Sequence, residues 1–517
     1  MTPLPFTGLI VMPIVLPALT AAVLVLAFRY RLDLQRIVSV GAAALLLAVA
    51  IALYASARDG DVQPYALGNW PAPFGITLVL DRLSATMVLL TALVGLAVTL
   101  YAITGWDRRG RHFHPLLQFQ LMGLSGAFLT GDVFNLFVFF EVMLIASYAL
   151  MLHGGGARRL KAGLTYVAIN LIGSTLFLFA VGVIYAVTGT LNMADLAAKV
   201  ATVAPADEAL LRTGALLLLL VFALKAALVP LHWWLPGAYA AAPGPVAAMF
   251  MLMTKVGAYA ILRVYTLVFG VDAGAVANVA SPWVVPAALL TLALGAAGVL
   301  ASRSLTALAC FSVVWSMGSL LTAFGLFDFG GIAAGLYYLL HSTLAGAALF
   351  LLVDLVAGVR DGAADRIVPT PALPQGALFA GLFFVAGIAV AGLPPLSGFV
   401  GKLLLLDATG SAPGAAVIWT VVLATSLAVI LGFARAGSTL FWKTAPGPAV
   451  PARPGRAAML PTVVCIAVLG ATALLAAFAG PVTAELDATA RQLLDTAAYR
   501  RAVAPVQSAA MPSGGTP

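Results

Sequence analysis

Charged side chains are scarce in this sequence: Asp, Glu, Lys and Arg supply 9% of 517 residues, against 62% hydrophobic. So few charges cannot cover a globular surface, which excludes a soluble multidomain protein. Cysteine is nearly absent too. The two present, Cys310 and Cys465, fall inside apolar runs and read as small hydrophobes, with no disulfide framework and no metal-ligand spacing. No Rossmann, P-loop or Cys-cluster signature occurs, which removes nucleotide and iron-sulfur chemistry and leaves no expected cofactor or bound metal. Any energy source must then be an ion gradient or a partner. Long polar segments are missing as well; the longest loops fall near 57–80, 189–210, 358–374 and 441–457.

What remains is a succession of apolar runs, each of about 18 to 30 residues and long enough to cross a hydrocarbon core of roughly 30 Å as a helix. They predict an all-α polytopic membrane protein with about fourteen transmembrane helices. The spans fall near 8–28, 37–56, 83–104, 115–130, 132–152, 163–188, 211–230, 243–269, 284–301, 305–326, 331–357, 375–406 with a break, 414–440 and 458–480. The first run lacks a basic leader and ends in RYR, as a retained span does rather than a cleaved signal peptide. The Pro/Gly-rich stretch KTAPGPAVPARPGR reads as a linker, Glu485 to Val503 as a short amphipathic surface helix, and MPSGGTP as a disordered tail.

The net charge of +8 is distributed by topology. Arg29, Arg31 and Arg36, then Arg108, Arg109 and Arg111, then Arg158, Arg159 and Lys161 occupy alternate loops, and Arg303, Arg360, Arg366, Arg435, Lys443, Arg453 and Arg456 continue the series. The intervening loops carry little beyond Arg58, Lys199 and Arg212, so the positive-inside rule puts both termini outside the cytoplasm. Nucleic acid is not an expected partner.

Against this background four charges stand out. Lys225, Lys255, Lys402 and Glu141 lie deep in the runs VFALKAALVPLHWW, FMLMTKVGAYAIL, LPPLSGFVGKLLLL and FNLFVFFEVMLIA, where an unpaired charge costs several kcal/mol. Two of the lysines adjoin prolines that interrupt a helix, freeing carbonyls and admitting water. Leu211 to Ala242 and Ala377 to Asp407 both run longer than one crossing needs, which suits discontinuous helices. They take the fourth place in each of two five-helix units, and an odd number of spans relates such units by inversion.

A buried lysine near a carboxylate takes up and releases a proton as their spacing changes. Glu141 and Lys225 form the expected couple, Lys255 the link, with room for water beside Thr254, Gly257 and Tyr259, and His341 a neutral relay extended by Tyr337 and Tyr338. Each has a plainer alternative. The couple could be a static helix lock, Lys255 could snorkel, Lys402 could reach Asp407, and a lone histidine is more often a packing residue. His232 suits an interfacial place with Trp233 and Trp234, His112, His114 and His153 carry no site argument, and Asp132, Asp354 and Asp407 sit near span ends as possible gates.

Three stretches carry a resemblance: GDVFNLFVFFEVMLIASYAL, LKAALVPLHWWLPGAYAAAPGPVAAMFMLMTKVGAYAILRV and AGLPPLSGFVGK. In order and spacing they resemble the antiporter-like membrane subunits shared by respiratory complex I and the Mrp-type (also called Pha-type) monovalent cation/proton antiporters. The wording of the first, and the absence of a long lateral helix, look most like the D-type subunits of the antiporters. That resemblance implies fourteen helices with two inverted five-helix repeats and broken seventh and twelfth helices. It implies a division into 1–114, a first repeat over 115–269, a second over 284–440, and a terminal part over 441–517. It assigns Glu141 and Lys225 to the family's glutamate-lysine pair, Lys255 to the central lysine and Lys402 to the twelfth-helix lysine, with His341 between.

By the same resemblance the chain is a secondary-transporter subunit and not an enzyme, working in a hetero-oligomer of Mrp/Pha-type membrane subunits in lipid. It exchanges protons for monovalent cations across a bacterial cytoplasmic (inner) membrane. A proton-pumping subunit of complex I or of a membrane-bound hydrogenase would use the same lysines. Two departures matter. Ser304, Leu305, Thr306 and Ala307 stand where many relatives carry Asp-Leu-Lys-Arg, and Gly346 stands where many carry a lysine five residues after the histidine. The second places more weight on His341 and bound water.

Overall fold

The computed structural model of the chain describes residues 7–373, 375–443, 445 and 459–503. It is helical almost throughout. Six helices come first: α1 (Met12–Leu26), α2 (Leu32–Ala57), α3 (Arg82–Ala102), α4 (Phe113–Leu129), α5 (Val133–Met151) and α6 (Ala157–Thr188). A short α7 (Met193–Val200) precedes α8 (Glu208–Lys225), α9 (Trp234–Ala241) and α10 (Gly244–Leu267). Then follow α11 (Ser281–Ala301), α12 (Leu305–Phe324), α13 (Phe329–Val359), α14 (Gly376–Ala391), α15 (Ser397–Thr409) and α16 (Ala415–Gly437). The described part closes with α17 (Met459–Ala477), α18 (Ala479–Leu494) and α19 (Thr496–Val503). Among the described residues eleven helices are long and apolar enough to cross a membrane.

The expected spans meet these helices closely, and the two expected interruptions are present. α8 stops at Lys225 and resumes as α9 at Trp234; α14 stops at Ala391 and resumes as α15 at Ser397. Each break contains a cis proline peptide, Val229-Pro230 and Pro394-Pro395. Loose carbonyls at each break are bound by a side chain from beyond it: Trp234 Nε1 donates to Leu224 O at 3.0 Å, and Lys402 Nζ to Ala391 O at 2.5 Å. That repairs the ladder a proline interrupts.

α10 is the axis of the bundle. It is buried along its whole length, packed against α3, α8, α12 and α13, whereas α2, α6, α11 and α16 show large apolar side chains on one face. An outward apolar face with an inward small or polar one is how a span meets lipid. Where α11 and α12 cross, a Cβ on Gly295 would stand 2.4 Å from Trp315 N and one on Gly318 2.6 Å from Leu292 N. Only glycines let those backbones approach so far.

Several features lie outside what apolar periodicity reveals. The 57–80 loop forms a hairpin of β1 (Gln63–Ala66) and β2 (Thr77–Leu80), the 189–210 loop contains α7, and the expected single surface helix is two, α18 and α19, starting directly after α17. Those last helices clasp the face opposite the arginine-rich one. Glu485 bridges Arg58 and Arg82, and Gln492 Nε2 donates to Gly60 O at 2.8 Å. The expected linker, from residue 446 on, and the terminal MPSGGTP lie outside the described residues.

The basic loops also make structural contacts. Arg158 and Arg159 donate to Ala240 O and Ala241 O, closing the carbonyl end of α9, and Arg435 donates to Ser302 O at 2.6 Å. Asp107 accepts from Arg36 at 2.6 and 2.9 Å and faces His114 at 3.3 Å. Burial works to raise its pKa, but the bonds from Arg36 and His114 win, holding the Asp107 carboxyl at about 2. Ser304, in the first of the two departures, caps α12 by accepting from Ala307 N at 3.2 Å.

Candidate functional site

Glu141 projects from α5 toward α6, where Ser174 donates to it in a short hydrogen bond. Lys225, the last residue of α8, donates from Nζ to Asn170 Oδ1 at 2.9 Å. Asn170 and Ser174 lie one turn apart on α6, so they stand on one face. The expected couple is therefore joined through two α6 side chains and not as a direct ion pair. Glu141 nevertheless exerts its field on Lys225. At Gly173 the α6 and α8 surfaces lie close, a Cβ there standing 2.7 Å from Leu224 Cδ2.

Lys255 lies thirty residues on, in α10, and is fully buried. Its partner is a sulfur: Nζ stands 3.5 Å from Met317 Sδ on α12. The three neighbours expected to leave room for water beside it all make contacts of their own. Thr254 Oγ1 donates to Met251 O at 3.1 Å and Tyr259 OH to Phe128 O at 2.8 Å, while Gly257 is used for contact, its Cβ position being 2.6 Å from Ala226 N. That contact matters in another way. It seats α10 against the break just past Lys225.

His341, on α13, meets Ser397 Oγ through Nδ1 at 2.9 Å, at the start of α15. It feels the charges of both Lys402 and Lys255. Lys402 bonds Ala391 O and sits 5.1 Å from the centre of the Trp315 ring, so it turns inward instead of reaching Asp407, which is exposed. Tyr338 packs edge-on against His341 at 5.7 Å, but Tyr337 donates to Leu475 O and belongs to the α17 contact. Among the described residues none of the three lysines forms an ion pair.

Beside His341 is a cavity of about 20 Å³, lined in part by Met251, Ser312, Ser316, Tyr338 and Gly346. That is room for one water. Ser316 Oγ is buried there with no protein partner. The place a lysine at 346 would take is filled by Met251, whose Cε would stand 2.2 Å from a Cβ on Gly346. Gly346→Leu alone should therefore overpack the centre and cost about 1–3 kcal/mol, while adding Met251→Ala should restore most of the loss. Thermal unfolding of the purified variants checks this; a single variant as stable as wild type would refute the filled-space account.

The other sequence candidates fall elsewhere. Asp354 accepts from Tyr101 OH and Trp106 Nε1, both at 2.8 Å, at the arginine-rich face. Asp132 caps α5 by accepting from Asn135 N at 2.8 Å, and burial raises its pKa to about 6 against two backbone bonds that lower it. Trp233 is exposed as an interfacial tryptophan should be, but Trp234 is buried and bonded within the break. His114 and His153 are buried and partnered, His153 with Trp106 O at 2.8 Å. Missed altogether in the sequence is an ion pair between Arg263 on α10 and Asp81 at the head of α3, with N–O distances of 2.6 and 2.9 Å. Cys310 and Cys465 are free and buried, and among the described residues no cluster could hold a metal ion.

Residues 130–430, which contain all five candidate relay residues, match the family described as NADH:quinone oxidoreductase/Mrp antiporter, TM. The chain is 42% identical over 519 residues to the D subunit of a probable K(+)/H(+) antiporter of Rhizobium meliloti, covering 94% of this chain and 95% of that one. It is 38% identical over 436 residues to the D subunit of a Na(+)/H(+) antiporter of Bacillus subtilis, covering 84% and 87%. Among solved structures it resembles a chain of the Mrp complex from Dietzia sp., with a TM-score of 0.87, 29% identity, and coverage of 97% of this chain and 100% of that one.

Proposed function

This chain belongs to the NADH:quinone oxidoreductase/Mrp antiporter family of membrane subunits, and from that premise we propose that it serves as the D subunit of a multisubunit Na⁺(K⁺)/H⁺ antiporter. It provides the proton path, and the cation crosses here or in a partner. The reading rests on one observation: three buried lysines without ion pairs, on α8, α10 and α15, are strung past two helix breaks with His341 between the last two. Such charges are costly in a bilayer and are kept where they move ions.

The path runs from Glu141 through Ser174, Asn170 and Lys225 to Lys255, then by His341 and Ser397 to Lys402. Ser174 and Asn170 hold the first two groups in register, and a water in the cavity beside Ser316 and His341 takes the place of the missing lysine. Adding α4, the α8–α9 pair and the α14–α15 pair to the eleven long apolar helices makes fourteen crossings, with the arginine-rich face in the cytoplasm and both termini outside. The two breaks then occupy equivalent places in inverted units, α4 to α10 and α11 to α16. The membrane is the bacterial cytoplasmic (inner) one and the partners are the other Mrp/Pha-type subunits. The redox-driven alternative is weaker because the Rhizobium meliloti and Bacillus subtilis relatives are antiporter subunits by name.

Replacing Glu141 or Lys225 with alanine should reduce cation-dependent ΔpH relaxation in vesicles containing the assembled complex by about 100-fold, as removal of a proton-transfer group does. Full activity with normal assembly would reject the path.

A further inference from the structure

On the arginine-rich face an open groove of about 720 Å³ lies between the end of α1, the start of α4 and the end of α5. Its floor is apolar, formed by Leu116, Phe119 and Leu152, and its rim carries Arg109, Arg111 and His112. No carboxylate lines it. The nearest acid in sequence, Asp107, is already held by Arg36 and His114. Among the described residues Arg111 and His112 make no side-chain bond, while Arg109 stacks on Trp106 at 3.9 Å.

The backbone of the rim is bared as well. Gly154 and Gly155 take φ of +86° and +66°, in the left-handed region that favours glycine, and a Cβ on Gly110 would stand 2.9 Å from His153 Cε1. The amides of Gly110, Arg111 and Gly154 donate to no protein acceptor among the described residues. Guanidinium groups and free amides lining the rim of an apolar trough, where α4 begins and α5 ends, match a phosphodiester with acyl chains beneath it.

We propose that this groove is a binding site for one anionic phospholipid, whose phosphate is held by Arg109, Arg111 and the free amides and whose acyl chain lies along Leu116, Phe119 and Leu152. An acidic loop of another polypeptide would match the rim but has no use for the floor. Inorganic phosphate would match the rim alone.

The full chain, purified from membranes containing phosphatidylglycerol and phosphatidylethanolamine, should retain one phosphatidylglycerol by native mass spectrometry. The triple change Arg109→Ala, Arg111→Ala, His112→Ala should lower that retention by about fivefold or more, whereas Arg303→Ala, an exposed arginine of the same face, should leave it unchanged. With p-benzoylphenylalanine in place of Leu116, irradiation in the native membrane should label phospholipid. Equal retention by the triple variant, displacement of the lipid by inorganic phosphate, or attachment at 116 to another polypeptide would each overturn the assignment. Because Leu116 reports in the otherwise unaltered chain, the test stands even if the triple variant fails to fold.

Discussion

Changing Lys255 to methionine is expected to stop cation-driven proton movement while raising the stability of the protein. Lys255 is fully buried and, among the described residues, its only hydrogen-bond partner is the sulfur of Met317 at 3.5 Å, so no oxygen or counter-charge there offsets its desolvation. A lysine at the centre of a span costs about 3 kcal/mol, and replacing buried ionic groups by apolar ones of similar volume is neutral or stabilising by about 1–4 kcal/mol. A lysine kept for packing would give the opposite pattern, with stability and transport falling together. Thermal unfolding in detergent and ΔpH relaxation in vesicles, measured on one preparation, separate the two. Transport at the wild-type rate in Lys255→Met would remove this residue from the path, whatever its effect on stability.

The second large effect is expected far from the lysines. Asp81 caps α3, accepting from Ser84 N at 2.8 Å, and in the same position meets Arg263 through two bonds. Both side chains are buried. Asp81→Ala loses the cap, worth about 1 kcal/mol, and leaves Arg263 unpaired, which costs about 3–5 kcal/mol. The two losses share a residue and need not add, so a total near the cost of the unpaired arginine is expected. The double change Asp81→Ser, Arg263→Met keeps a cap and removes the charge, and should recover most of the stability. A single Asp81→Ala variant that melts with wild type would contradict the pairing. Arg263 also stands two turns beyond Lys255 on the same α10 face, beneath the Tyr499 ring at 5.6 Å.

Much of the fold is legible in the sequence because a bilayer imposes coarse rules. Apolar runs must be helices, a proline in a run too long for one crossing marks an interruption, and a lysine among leucines is conspicuous; the spans, both breaks and the placement of Lys225, Lys255 and Lys402 follow from that, whereas Pro17 and Pro286 sit inside unbroken helices. The companions of the charges are not legible. Asn170, Ser174 and Ser397 are ordinary small polar residues, and nothing in a single sequence says which helix face meets Lys225 or His341. Charge alone couples Glu141 to Lys225, whereas the packing of α6 inserts two side chains between them. The Arg263–Asp81 pair joins residues 182 positions apart. Gly346 is visible as a departure, but that Met251 fills the vacated space depends on how α10 and α13 face each other.

The complete burial of α10 also bears on biosynthesis. It is the least apolar of the eleven long helices, carries Lys255 and Arg263, and has no side turned to lipid. A ribosome that has delivered only the first half of the chain has placed this segment in the bilayer before α12 and α13 exist to cover it. Until they arrive, Asp81 is the buried counter-charge already synthesised, and its salt bridge to Arg263 can hold the half-made bundle together while Lys255 waits for its neighbours.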